Sequence, residues 1–286
     1  MAQKMDKRNG RTGNVRDLPE TAGVLHRAAG LLRILAQSGV AGMRLTELAQ
    51  AIGLPRPSVH RVLRSLVEEK LVDFDARSKR YTLALSLFEL AARAGNRLGL
   101  RQICRPVLLR LTESLGETHF LLVRDGYEAV CIDRSTGRLP IRSFTGDIGG
   151  RVPLGMGQGA MAILAFLPQD EQDEVIRHNL PRLREVNGTD EATLRAQLAR
   201  VAQQGHCDRP SGVFPGMTGI GVPILDREGR AVAALSIGSP VDHLTPERSS
   251  IIAHLLKAAV SAISAQINPF DPVLRRASAA MEIASD

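Results

Sequence analysis

The stretch MRLTELAQAIGLPRPSVHRVLRSLVEEKLVDFDARSKRY, residues 43–81, decides the fold of the amino-terminal part of the chain. Its spacing predicts a helix from about Leu45 to Ala51, with Thr46 suited to start or cap it, and a sharp turn at Gly53. A second helix then begins at Arg56 or Pro57, because proline is tolerated where a helix starts. This succession is typical of a helix-turn-helix.

The second helix, which runs to Glu69, has an apolar face and a basic face. Val59, Leu63, Leu66 and Val67 form the apolar stripe. The polar residues of its amino-terminal half suit the major groove of DNA, where the early residues of a recognition helix meet base edges and phosphates. The predicted contacts of this segment with bases or phosphates are Thr46, Arg56, Ser58, His60, Arg61 and Arg64.

Two short alternating runs follow, LVDFD and RYTL, and they predict a pair of strands. The connecting ARSK carries Arg77 and Lys79, with Arg80 next, which is the pattern of a winged helix with a basic wing placed over phosphate. The alternative is a solvated basic helix in a small helical domain. The corner at Gly53 and the basic hairpin together favour DNA binding.

The distribution of charge supports this interpretation. Residues 1–105 hold 19 lysines and arginines against 9 acidic residues, whereas the remaining residues hold 18 against 21. The first 105 residues therefore carry a net charge of +10 and the remainder a net charge of −3, so the positive charge of the chain belongs to the amino-terminal module, where it can neutralise phosphates.

Several other classes of protein receive no support from the sequence. No apolar run approaches the roughly 20 residues of a membrane span, and the first residues lack the apolar core of a signal peptide. The cysteines, Cys104, Cys131 and Cys207, match neither a zinc pattern nor a disulfide framework. We expect a cytoplasmic protein without metal or cofactor.

The segments around residues 43–81 predict further helices. A helix from about Thr21 to Ser38 carries an apolar stripe that supports the helix-turn-helix and contributes to a dimer contact. After the wing, Ala84 to Leu98 and Leu100 to Leu115 are helical in pattern, with Pro106 as a kink or a later start.

The second module mixes strands and helices. THFLLVRD, YEAVCIDRS and LPIRSFTG read as strands, and a glycine-rich loop then leads into a helix from about Gly157 to Leu167. Residues 169–179 and 189–204 predict amphipathic helices. MTGIGVPILD and GRAVAALSIGSP predict a strand pair, and a final helix runs from about Thr245 to Ile267. This order favours an α+β domain with helices packed on an antiparallel sheet.

Over most of residues 20–268, the chain resembles the IclR family of bacterial transcriptional regulators. The resemblance is carried by LTELAQAIGLPRPSVHRVLRSLVEEKLVD, YTLALSLFELA, RVPLGMGQGAMAILAFLP and PGMTGIGVPILDREGRAVAALSIGSPVDHLTPER, in that order. It implies a winged helix-turn-helix, a linker helix and a GAF-like effector domain, in a homodimer or homotetramer that binds palindromic operator DNA and a small-molecule effector.

The sequence pattern and the resemblance together give the expected domain bounds. We expect a disordered basic arm over residues 1–18, a winged helix-turn-helix over 19–82, a linker helix over 83–109, an effector-binding domain over 110–268 and a flexible tail over 269–286.

The effector pocket of the family, carried over by position, falls on four segments of this chain. They comprise Leu154, Gly155, Met156, Gly157, Gln158, Gly159, Asp208, Arg209, Gly219, Ile220, Gly221, Ser236 and Gly238. The chain departs from the common pattern at Arg209, Gly212, Gly219 and Gly238. The effector class that the family implies is a small aromatic or aliphatic acid, and Arg209 could hold its carboxylate with two parallel hydrogen bonds.

Other readings of these residues remain open. His206, Cys207 and Asp208 are adjacent, and three neighbours cannot readily share one tetrahedral metal site. Ser143, Asp133 and His119 could form a catalytic triad, although no motif fixes their geometry. An architectural DNA-binding protein without a ligand is the third alternative, and the glycine-rich loop argues against it.

Overall fold

The computed structural model describes residues 23–93, 97–139, 141, 147–208 and 214–267, and the side chains of 91–93 and 97–98 are outside this description. The chain divides into two compact units between Gly95 and Asn96. The expected arm over 1–18, the tail over 269–286 and most of the predicted strand LPIRSFTG lie outside the described residues.

The first unit forms the predicted helix-turn-helix. Its helices are α1 (Val24–Ser38), α2 (Leu45–Ile52) and α3 (Arg56–Glu68), and Gly53 makes the corner with a left-handed φ of 73°. Leu31, Leu48 and Leu63 are completely buried among these helices, so each amphipathic face predicted from the spacing packs into one core.

A small antiparallel sheet completes this unit. Its strands are β1 (Met43–Arg44), β2 (Val72–Asp75) and β3 (Arg80–Leu83), in the order β1-β3-β2. Asp75 pairs with Arg80 at the end of the β2–β3 hairpin. The hairpin is therefore the predicted wing, attached through β1 to the start of α2.

The predicted linker differs in its helix bounds. One helix, α4 (Ser86–Arg93), starts two residues later than expected, and α5 (Arg97–Leu115) starts three residues earlier. Pro106 lies inside α5 and begins no new helix. Leu100, Cys104 and Leu108 recur on one buried face of α5, so its packing in the core of the second unit continues past the proline.

Within the described residues, the second unit is built on a five-stranded antiparallel sheet, as predicted for its class. The strands are β4 (Thr118–Asp125), β5 (Glu128–Ser135), β6 (Arg151–Pro153), β7 (Met217–Leu225) and β8 (Ala231–Pro240), in the order β6-β5-β4-β8-β7. The strand β6 was not predicted, because three residues beside a glycine-rich run give no alternation to recognise.

Helices cover both faces of this sheet. One core lies beneath α6 (Gln158–Ala165), α7 (Gln169–Asn187) and α8 (Glu191–Gln204), and the other lies beneath α5 and α9 (Pro246–Ser264). The helix α7 extends beyond the predicted 169–179 and passes Pro181, because Val175, Ile176 and Leu183 keep one buried face. None of the described helices is long and apolar enough to cross a membrane.

A buried histidine lies between α5 and the sheet. His119 is completely inaccessible, and its Nδ1 lies 3.0 Å from both the Thr112 hydroxyl and the Glu117 carbonyl oxygen. Burial lowers the pKa of His119 to about 4, although the Glu117 carbonyl acts in the opposite direction. The fold therefore requires a neutral imidazole.

This requirement predicts a loss of stability in weak acid. An unfolded histidine titrates near pH 6.5, so the contribution of His119 is complete above that pH and is lost as the pH falls to about 4. We expect the free energy of unfolding to fall by about 3 kcal/mol over this range, measured by urea denaturation. His119→Gln should flatten this dependence, whereas His243→Gln, at an exposed position, should leave it unchanged.

Candidate DNA-binding surface and effector site

The recognition helix α3 presents its basic face to solvent. Arg56, His60, Arg61 and Arg64 are exposed, and Ser58 is half-buried. On the opposite face Val59 and Leu63 are inaccessible, so the apolar stripe docks the helix and fixes which side faces outward. Arg64 forms an ion pair with Glu68 one turn later, at 3.0 Å. Such an exposed pair is weak enough to exchange for a phosphate.

The start of α2 is organised differently from the expectation. Thr46 is exposed in the first turn and does not cap the helix; instead, Oε2 of Glu47 accepts the backbone N–H of Arg44 at 2.8 Å. Arg80 lies 3.6 Å from the same carboxylate and donates to the Gly42 carbonyl at 2.8 Å. The guanidinium of Arg80 thus ties the wing to α2, which makes it a positioning group as well as a candidate phosphate contact.

The wing tip is held in one conformation by Asp75. Its carboxylate accepts the backbone N–H groups of Arg77, at 2.9 Å, and Ser78, at 3.2 Å, together with the Ser78 hydroxyl. These bonds lower the pKa of Asp75. Lys79 closes the turn with a left-handed φ of 59° and donates to the Asp75 carbonyl. Arg77 and Lys79 are consequently presented, exposed, on an ordered loop.

In the second unit, the glycine segments predicted to form the effector pocket converge. Gly219 pairs with Gly238, and Gly221 with Ser236, across β7 and β8. A Cβ at Gly221 would lie 2.3 Å from the Gln158 carbonyl oxygen. The start of α6 therefore lies directly against these strands, which only a residue without a side chain permits.

Not every predicted pocket residue belongs to this face. Ile220 is wrong as a side-chain contact, because it is completely buried in the core beneath α5 and α9, on the opposite face of the sheet. Leu154 and Met156 are buried in the core beneath α6. Asp208 is engaged by Arg200 at 2.7 Å. Arg209 and Gly212 lie outside the described residues.

Two residues that the sequence did not single out lie on the glycine face. Phe120 approaches Gly238, with its ring 3.6 Å from the position of a Cβ there. The guanidinium of Arg134 lies 5.6 Å from the centre of that ring. Phe120 and Arg134 are direct partners across β4 and β5, so only the strand register could have revealed this pairing of a cation with an aromatic ring.

The described residues show no geometry that matches the catalytic or the metal alternative. His119 bonds to Thr112 and Glu117, while the buried Asp133 is held by Arg105 at 2.8 Å and Arg101 at 3.3 Å, so the two do not hydrogen-bond to each other. Ser143 lies outside the described residues. Burial raises the pKa of the Cys104 and Cys131 thiols to about 12, which makes them poor nucleophiles. Within the described ranges, no cluster of acidic, histidine or cysteine residues could hold a metal ion.

An exposed second helix of the helix-turn-helix, an ordered basic wing and a separate α+β unit define a two-domain protein with a winged-helix DNA-binding module. Comparison with known families agrees. The family described as "Bacterial transcriptional regulator IclR C-terminal" matches residues 92–265, and the IclR helix-turn-helix domain matches residues 24–76. The chain belongs to the IclR family, whose members matched here are transcriptional regulators and not enzymes.

Individual relatives give the same assignment. The HTH-type transcriptional regulator KipR of Bacillus subtilis is 32% identical over 226 residues, which cover 79% of this chain and 90% of KipR. The transcriptional repressor IclR of Escherichia coli is 27% identical and covers 91% of this chain and 96% of its own. An IclR homologue from Microbacterium hydrocarbonoxydans, solved with 4-hydroxybenzoate, superimposes with a TM-score of 0.71 at 24% identity. The match covers 85% of this chain and 98% of the homologue.

Because Asp75 orders the wing tip, we predict opposite effects on DNA affinity for two substitutions of this residue. Asp75→Asn removes a negative charge near phosphate and keeps an acceptor oxygen, so DNA should bind more tightly. Asp75→Ala also removes the charge but frees the tip. Its ordering on DNA should cost about 1 kcal/mol, or about fivefold in affinity. Fluorescence anisotropy on one labelled duplex distinguishes them, and equal tightening of both would show that the carboxylate acts through charge alone.

Proposed function

We propose that this protein represses a catabolic or transport operon by binding palindromic operator DNA, and that a small organic or aromatic acid controls its binding. The observation that carries the proposal is the coexistence of an exposed recognition helix with a glycine-lined sheet face that bears Arg134 over Phe120. One relative is a transcriptional repressor, which supports repression as the mode of regulation. A regulator of this kind acts in the cytoplasm, where bacterial DNA lies.

The DNA-binding half of the proposal assigns different roles to the exposed groups. Arg56, Ser58, His60 and Arg61 occupy the early part of α3 and would meet base edges or nearby phosphates. Arg64, Arg77, Lys79 and Arg80 would contact mainly phosphates and hold the register on the duplex.

An acidic effector fits the chemistry of the sheet face. Arg134 can bind a carboxylate, and Phe120 offers a ring for an aromatic or apolar body. The Gln158 side chain lies beside Gly219, where a Cβ would be 3.2 Å from its Oε1. The 4-hydroxybenzoate bound to the Microbacterium homologue is an acid of this class.

A route for the signal lies in consecutive residues of β5. Arg134 is on the glycine face, whereas Asp133 points the other way and binds α5 through Arg105. The same Arg105 nitrogen donates to the Arg134 carbonyl oxygen at 2.9 Å. A ligand that moves Arg134 would therefore move α5, the first helix after the unit boundary. Coupling between sites of this kind is typically worth about 1–3 kcal/mol.

Self-association is part of the proposal, since a palindrome needs two recognition helices. The first unit exposes apolar side chains that its core does not use, including Val24 and Leu25 on α1 and Phe88 on α4. Val24 and Leu25 are adjacent in α1, and exposed apolar side chains that lie together mark interaction surfaces. We assign the exposed start of α1 to pairing between two copies of the DNA-binding unit.

The base-reading role of α3 predicts a selective loss. Arg61→Ala should cost about 1–3 kcal/mol in binding to the operator and distinctly less on random DNA of equal length. Arg64→Ala should weaken both duplexes alike, because it contacts phosphate. Anisotropy titrations on a fragment from upstream of the chain's own gene test this, and equal losses for Arg61→Ala would remove it from the base-reading set.

The effector site predicts stabilisation by acids that depends on Arg134. A panel of small carboxylic acids, 4-hydroxybenzoate included, should raise the thermal midpoint of the full chain, whereas the matched amides should not. Arg134→Gln should abolish the shift, and Arg138→Gln, at an exposed position, should preserve it.

The same panel of acids distinguishes a ligand-controlled repressor from an architectural DNA-binding protein. If operator binding persists unchanged in every acid and no acid shifts the midpoint, the protein is an architectural DNA-binding protein. Operator binding that weakens in an acid that also stabilises the chain supports the ligand-controlled repressor.

A further inference from the structure

The last helix, α9, has two apolar faces. Its inner face, with Ile252, Leu256, Val260 and Ile263, is buried in the core beneath the sheet. Its outer face carries a second apolar stripe, and there Ile251 is 61% exposed and Leu255 39% exposed. The stripe continues through exposed alanines and comprises Ile251, Leu255, Ala258, Ala262 and Ala265.

The outer face of α9 is also nearly free of charge. Between residues 249 and 266 the ionisable side chains are His254 and Lys257, and Lys257 is directed to the Gln204 carbonyl oxygen at 2.5 Å. An exposed helix that only faces water typically carries charges there, as α7 does with Arg177, Arg182 and Arg184. Loss of charge around an apolar centre is characteristic of a protein interface.

The spacing of the outer stripe indicates which partner covers it. The residues recur at intervals of four, three, four and three, which is the heptad spacing of helices that pair along a seam. The bulky side chains stand at the start of the stripe and the alanines at its end. A parallel copy would set bulky against bulky and alanine against alanine, which leaves an uneven gap.

We propose that α9 pairs with the α9 of a second copy of this chain in an antiparallel arrangement about a two-fold axis. Ile251 then faces Ala262 of the second copy, and Leu255 faces its Ala258. Each of the four layers from residue 251 to residue 262 combines a large with a small residue, so this part of the stripe is complementary to itself, and Ala265 lies beyond the paired layers. Closed two-fold interfaces use one patch in this way.

The size of this seam defines its place in an assembly. From residue 251 to residue 262 it extends about 16 Å along the helix, and a contact this short buries less than the roughly 1,200 Å² of stable interfaces. It therefore acts beside the proposed contact of the DNA-binding units, which raises the local concentration of α9. It rests on the pairing of the DNA-binding units in the proposed function, but it requires neither operator DNA nor effector.

Cysteine crosslinking of the full chain tests the arrangement. The variant with both Ile251→Cys and Ala262→Cys should form covalent dimers with a short bis-maleimide. Each single variant should not, because eleven residues separate identical positions by about 16 Å in the antiparallel pair. The same distance prevents a link within one helix, and the native cysteines are buried.

The outcomes decide the proposal. Crosslinking by the double variant alone supports it. Absence of crosslinking in the double variant, or equal crosslinking by the single Ala262→Cys variant, overturns it. If crosslinking appears only after removal of residues 268–286, the carboxy-terminal tail is the occupant of the stripe, and the proposal also fails.

A charge substitution provides an independent measurement. Leu255→Glu should lower the mean mass of the full chain in light scattering at a fixed protein concentration, because loss of a weak seam shifts the association equilibrium towards smaller species. Ser250→Glu, exposed on the same helix about 100° away from the stripe, should leave the mass unchanged. Equal behaviour of the two variants contradicts the proposed seam.

Discussion

The second unit depends on one buried charge, the carboxylate of Asp133. A carboxylate without access to water is costly unless cations and hydrogen bonds compensate it. Arg101 and Arg105 on α5 supply that compensation. If α5 moved away from β5, the carboxylate would become exposed to water or would lose its cationic partners. Because the helix that leads in from the first unit is fixed to the sheet in this way, a displacement of the sheet becomes a displacement of the helix.

An irregularity in the sheet makes this arrangement possible. Regular alternation would put Cys131 and Asp133 on one face, yet the register of β4 and β5 shifts between Leu121 and Leu122. Cys131 packs beneath α6, while Asp133 points to α5 and Arg134 to the glycine face. Bulges re-aim side chains in this manner beside functional sites. The cation proposed to hold an acid and the anion that anchors α5 are thus neighbours in the chain.

Prediction from the sequence worked where local periodicity decides the structure. The faces of α2 and α3, the corner at Gly53 and the long strands follow from spacing alone. It failed where the answer depends on phase or register between distant segments. Ile220 lies one residue out of phase with Gly219 and Gly221, and the proximity of Arg134 to Phe120 requires the bulged pairing of β4 with β5. The sequence did not predict that Glu47 caps α2, because Thr46 is the residue type better suited to cap a helix.

The wing held by Asp75 has a thermodynamic consequence. A loop that orders only on contact loses backbone entropy when it binds, whereas this tip has already lost that entropy when the domain folds. The association of the wing with a duplex should therefore add little to the heat-capacity change, and its contribution should vary little with temperature. The wing would have the same conformation in cold and in warm cells, and the temperature dependence of DNA affinity would arise from the rest of the interface.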